Sequence, residues 1–275
     1  MIFNNMPVVK KVIPLLSSAI ALVCISAGSA IAGNMLTLAG DPCSVPLAQK
    51  LAEAYSQKNK AFKIELQTFG CTQGVYKASS GKVDIGVSTQ NGLSSNTPKG
   101  GYNTVIAKSP IILIVHQSNP VDNLSYEQLQ AIMTGDIRNW KEVGGKDLEI
   151  GNVMLQPCVR NTMSKHIIPV SKDIVRLKPG KKVNPVTHTN IMVASNKGAI
   201  GQQIYGYESD DVKVLTIDGV LPDENTFPTQ YGFYQDYNII TRGAPTGAIK
   251  DYINFAYTDE GKSIIKAMHH IPANH

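Results

Sequence analysis

Three cysteines mark the positions in this 275-residue chain where chemistry could be concentrated. Cys43 lies in GDPCSVP, Cys71 in FGCTQGV and Cys158 in QPCVRNT. Each sits in a short loop that leads toward a helix-like run. Ser44, Thr72 and Arg160 stand beside them, and Thr89 closes the run VDIGVST. Loops of this kind hold anions through free backbone N–H groups at a helix start. A hydroxyl suits a phosphate oxygen, whereas a thiol is a weak donor. Thiolates prefer soft Lewis acids: arsenite, Cu(I), or Zn²⁺ with a fourth ligand. Paired cysteines in an oxidising compartment instead form disulfides, and an odd count leaves one thiol over. The residues alone leave both fates open.

The compartment follows from the start of the chain. Lys10 and Lys11 precede the apolar run VIPLLSSAIALVCISAG and then Ala30-Ile31-Ala32. That is the pattern of a secretory signal peptide over residues 1–32, cleaved after Ala32, with a periplasmic destination. Cys24 leaves with the leader, since Val23 does not fit a lipoprotein cleavage site; an uncleaved anchor is the alternative. No second apolar run is long enough to span a membrane. The net charge of +5 includes the two leader lysines, and no Lys/Arg run is dense enough for nucleic acid. C-x-x-C is absent, and no nucleophile has an evident base, so neither a thiol oxidoreductase nor another enzyme is expected. No cofactor is implied.

The elements that position the loops read as α/β. MLTLAG is a strand, and a turn with Asp41 and Pro42 leads to a helix with Ser44 as N-cap. FKIELQTFG, then CTQGVYKASSGK, then VDIGVST give strand, helix and strand, the signature of a parallel sheet covered by helices. SPIILIVH is a buried strand. In NLSYEQLQAIMTG, Ser125 and Gln128 form a capping box, Leu129, Ile132 and Met133 form the buried stripe, and Gly135 ends the helix. LEIGNVMLQ is a strand. Residues 170–189 read as basic and irregular, with GAIGQQIYG as punctuation. VKVLTIDGVLP and YGFYQDYNIITRG are strands, and GAIKDYINFAYTDEGKSIIKAM holds the closing helices.

Several of these segments resemble one family along nearly the whole mature chain: PLAQKLAEAY, GKVDIGVST, SNPVDNLSYEQLQAIMTGDIRNWKEVGG, GAIGQQIYG, VKVLTIDGVLP and FAYTDEGKSIIKAM. They are similar to PstS-like phosphate-binding proteins of phosphate ABC importers. The resemblance implies a two-lobed periplasmic-binding-protein fold, its lobes joined by crossing strands, with the ligand in the interlobe cleft. Lobe 1 would take residues 33–115 plus 212–275, and lobe 2 residues 116–211. Ser109–His116 and Val212–Gly219 would form the hinge.

On that resemblance, Cys43, Cys71 and Cys158 replace three phosphate-binding hydroxyls and converge in the cleft. Helix N-termini would favour their thiolates. A three-sulfur site suits arsenite or another soft metal. The alternative is phosphate or a related oxyanion, held by backbone N–H groups, Ser44, Thr72, Thr89 and Arg160, with a disulfide in the cleft. Either ligand would serve an ABC permease or a sensor kinase, and the protein is expected to be a monomer. His269, His270 and His275 form a weaker metal candidate. His116, Trp140, Tyr76 and Met154 are read as structural or packing residues.

Overall fold

The computed structural model describes residues 34–70, 72–89, 99–153 and 185–274. The chain starts as the sequence predicts. β1 (Asn34–Gly40), α1 (Val45–Lys58), β2 (Phe62–Thr68), α2 (Gln73–Ser79) and β3 (Ile85–Ser88) alternate. β1 lies between β2 and β3, parallel to both. Leu47, Ala48, Leu51, Ala52 and Tyr55 form the buried stripe of α1. Their spacing places them on one helical face, so α1 covers the sheet with that face.

β4 (Gly101–His116) is the strand that organises the molecule. Its first part, Gly101–Pro110, pairs antiparallel with β9 (Tyr234–Arg242), which in turn pairs with β3. Its last part pairs with β7 (Ala199–Ile204) and β8 (Val212–Ile217). One strand therefore runs through two sheet regions. Only its second half, SPIILIVH, is evident as a strand in the sequence. There Ile111, Leu113 and Val115 enter one apolar cluster while Ile112 and Ile114 enter another. Burial on both faces explains the unbroken apolar run.

The remaining elements sort onto these regions. β5 (Asn123–Leu124) pairs with β8, and β6 (Gly151–Val153) with β7. α3 (Tyr126–Thr134) carries the expected capping box, with Gln128 N donating to Ser125 Oγ at 3.1 Å and Ser125 N to Gln128 Oε1 at 2.8 Å. Gly135 ends it at φ 85°. Trp140 is buried, and its Nε1 donates to Gly198 O at 2.9 Å. α4 (Pro185–Ala194) occupies part of the stretch read as irregular. GAIGQQIYG is not punctuation but holds the fully buried strand β7. Its Gly201 lets α4 approach, for a Cβ there would lie 2.8 Å from Thr189 Cγ2 and Val193 Cγ2. α5 (Gly247–Ala256), α6 (Asp259–Ala267) and β10 (Ile271–Pro272) close the chain.

Two main cores result within one compact unit, residues 33–275. The first joins β1, β3, β9, α1, α5 and α6. The second gathers Ile111, Leu113, Val115, α3, Trp140 and Ile200. β8 packs Leu215 and Ile217 into the second core, as do Tyr231 and Phe233, and the chain returns to the first along β9. Among the described residues, no helix is long and apolar enough to cross a membrane.

Candidate functional site

The carboxyl ends of β1 and β3 meet the amino ends of α1 and α2, the crevice where open α/β sheets bind ligands. Glycines make the approach possible. A Cβ on Gly74 would lie 2.4 Å from Ala39 O, so the first turn of α2 rests directly on the end of β1. A Cβ on Gly86 would lie 2.6 Å from Gly74 O, and one on Gly40 would lie 2.4 Å from Val87 Cγ2. Any side chain at these positions would pry the loops apart.

The first loop is occupied from within. Asp41 Oδ1 accepts from Cys43 N at 2.9 Å and Ser44 N at 3.0 Å, and Oδ2 accepts from Thr89 N at 3.4 Å. Ser88 also hydrogen-bonds this carboxylate. Asp41 is 1 % exposed, and burial raises its pKa above the ordinary carboxylate range despite those bonds. The sequence shows Asp41 only as a turn residue. Its bond to Thr89, across 48 positions, carries no local signal.

Ser44 stands at the N-cap position of α1, but its side chain caps nothing. Its Oγ lies 3.0 Å from the carbonyl oxygens of both Asp41 and Val87, so its hydrogen is used inside the fold. The Asp41 carboxylate and carbonyl take the cap's place, the carbonyl accepting from Val45 N at 3.0 Å. Thr72 is exposed at the N-cap of α2, also without a side-chain cap bond. Thr89 is buried beside Asp41, and among the described residues its hydroxyl has no partner. The described part of the site thus brings Cys43, Ser44 and Thr89 to one place, with Thr72 at the rim. Cys71, Cys158 and Arg160 lie outside the described residues, as do Met154 and His275.

Cys43 carries a free thiol, 4 % exposed, which packs into the second core although α1 belongs to the first. The thiolate expected at a helix start is not favoured here. Burial first, then the neighbouring Asp41 charge, push the Cys43 pKa upward. Desolvation and a like charge outweigh the helix-end effect.

Three further residues belong to this neighbourhood without having been evident as such. Tyr237 on β9 donates from its hydroxyl to Ser44 O. Tyr207 Oη lies 3.3 Å from His270 Nε2, and their rings meet edge to face at 5.7 Å. His270 is 2 % exposed, and burial together with His269 pushes its pKa down to about 3, so its ring is neutral. His269 packs its ring 4.4 Å from that of Tyr205. These histidines serve aromatic packing, and among the described residues no group of three or more metal-ligating side chains converges. Tyr76, expected in the core, is 48 % exposed, with Lys82 above its ring.

Comparison with known proteins shows the family and the fold. A family model described as a PBP superfamily domain matches residues 26–260. The phosphate-binding protein PstS of Bacillus subtilis is 28% identical over 249 residues, covering 88% of this chain and 81% of that protein. The fold resembles that of a phosphate ABC transporter substrate-binding protein from Clostridium perfringens with bound phosphate. That match has a TM-score of 0.77 at 26% identity and covers 88% of this chain and 100% of the other. An ABC-type phosphate transport receptor from Vibrio cholerae matches with a TM-score of 0.66 at 23% identity, over 86% and 99% of the two chains.

Proposed function

The chain belongs to the PBP superfamily, with a two-lobed α/β fold, and from that premise we propose that it is an exported solute-binding protein for a phosphate-type oxyanion. One observation carries the reading. Two helix N-termini and the end of β3 meet at the carboxyl ends of parallel strands, beside a Thr89 hydroxyl that has no partner among the described residues, in a chain related throughout to phosphate-binding proteins. Binding, not catalysis, is the role that this relationship supports. Export would follow cleavage after Ala32. An ABC permease or a sensor kinase would receive the loaded protein.

The division into lobes expected from the sequence, residues 33–115 plus 212–275 against 116–211, is kept here as a proposal. The packing of β8, Tyr231 and Phe233 favours a return crossing nearer β9. Ser109–His116 and Val212–Gly219 would flex on closure; their paired part, Leu113–His116 against Val212–Leu215, supports that role. Arg160 would bring the cation that the described part of the site does not supply to the ligand.

A second reading rests on the free thiol of Cys43. A disulfide would exclude it from ligand chemistry; a neutral thiol does not. Arsenous acid can exchange each hydroxyl for a sulfur, S–H and As–OH giving S–As and water, with no redox change. Cys43, Cys71 and Cys158 would then hold As(III) as a pyramidal three-sulfur complex.

One experiment separates the two. Calorimetric titration of the mature protein with inorganic phosphate is run beside a free-thiol count with and without arsenite. Saturable phosphate binding with no protected thiol supports the oxyanion. Three thiols protected by arsenite, with no phosphate heat, support the thiol site. Neither response refutes both.

A further inference from the structure

β2 is the outermost strand of the sheet: among the described residues it pairs with β1 alone. Its exposed side carries Lys63 and Glu65, while Phe62, Ile64 and Leu66 are half-buried. These three line a groove of about 660 Å³ against α1, together with Val45 and Ala52. An open edge offers unpaired backbone donors and acceptors to another strand.

Read outward from Ile64, the strand is apolar at the centre, charged with opposite sign on either side, and apolar again: Phe62-Lys63-Ile64-Glu65-Leu66. We propose that β2 pairs antiparallel with β2 of a second copy, about a two-fold axis through Ile64. In that register Ile64 faces Ile64 of the partner subunit. Lys63 faces Glu65 of the partner subunit, and the symmetric pair repeats the match. Phe62 faces Leu66 of the partner subunit. The neighbouring registers fail. A slip of one residue sets charged side chains against apolar ones and reverses the faces. A slip of two sets Lys63 against Lys63, or Glu65 against Glu65, and like charges directly opposite are unfavourable.

The pairing keeps both α1 helices on the same side of a continuous sheet. The two grooves then adjoin, each covering the other's apolar wall. A two-fold contact of this kind is self-complementary and closed, so it stops at two copies. Seven residues of strand give a small interface, so the dimer is dissociable, unlike the monomer expected from the family resemblance.

The test is a charge swap followed by sedimentation of the mature chain from about 10 µM to 1 mM, where contacts of this size dissociate. The wild-type mass should rise from one copy toward two. K63E and E65K, each producing like-charge pairs, should weaken association at least about tenfold, equivalent to 1.4 kcal/mol. The K63E/E65K double variant restores the match and should associate as the wild type does. Both positions are exposed, and an unchanged melting temperature confirms that each variant folds. A wild type that stays monomeric throughout overturns the proposal, whatever other protein it binds through β2. Single variants that associate normally, or a double variant that is not rescued, overturn it equally.

Discussion

Replacing Asp41 tests whether the first loop is held by its own carboxylate. In D41A, Cys43 N and Thr89 N lose their acceptor, while Ser44 N keeps the Asp41 carbonyl at 3.0 Å. Two buried amides left unpaired cost about 1–3 kcal/mol each. The bond to Thr89 is long at 3.4 Å, so its share falls at the low end. The gross loss is then about 2–4 kcal/mol, and release of a buried carboxylate offsets part of it, leaving a net destabilisation of about 1–3 kcal/mol at neutral pH. D41N keeps an oxygen for Cys43 N and Ser44 N and removes the charge; it should stay within about 1 kcal/mol of the wild type. The pH dependence has a definite sign. A carboxyl whose folded pKa is raised contributes stability fully below its ordinary value of 3.8, and that contribution is lost as pH rises through the folded value. D41N cannot lose it, so the balance should move toward D41N as pH increases above 3.8. Urea unfolding followed by circular dichroism, at several pH values, measures both effects. If D41A matches D41N in stability, water fills the space and satisfies the amides, and the internal-acceptor argument is refuted.

Two other perturbations probe the surroundings. His270 has a folded pKa near 3 against an ordinary 6.5, so its contribution is present above 6.5 and is lost as pH falls toward 3. The wild type should lose up to about 1.4 kcal/mol per pH unit from this group across that window. H270Q, which can still bond Tyr207, should show a shallower acid limb in urea melts; parallel profiles would exclude His270 as the source. G74A should destabilise by about 1–3 kcal/mol or more, because its Cβ meets backbone at Ala39 O rather than a yielding side chain. The same variant should weaken phosphate binding by displacing the second loop, which calorimetry checks; unchanged melting and affinity would show that α2 does not rest on β1 as described.

Much of this architecture is written locally, and the exceptions are where distant residues decide. Ser125, Gln128 and Gly135 specify α3 within one short segment, and the structure returns that cap and that end. The opening strand–helix alternation is equally legible, because each element carries its own periodicity. GAIGQQIYG misleads because its glycines signal turns, yet Gly201 is required by the approach of Thr189 and Val193 from α4. The first half of β4 is obscure because Tyr102 and Asn103 are exposed, and its strand geometry comes from β9, more than a hundred residues later.

The same division governs the site. The loops around Cys43 and Cys71 are legible as helix starts, since glycine, proline and the following apolar run encode them. The state of Cys43 is not, because it depends on what encloses the thiol. A helix N-terminus alone would favour the thiolate; burial and Asp41 reverse that preference. Asp41 itself also takes the amides of Cys43 and Ser44 that an anion would otherwise claim. A loop motif therefore establishes that backbone donors are presented, and the fold decides who accepts them. In this chain the nearest acceptor is internal, so a ligand reaching the first loop must be bound beside the Asp41 carboxylate or in exchange for it.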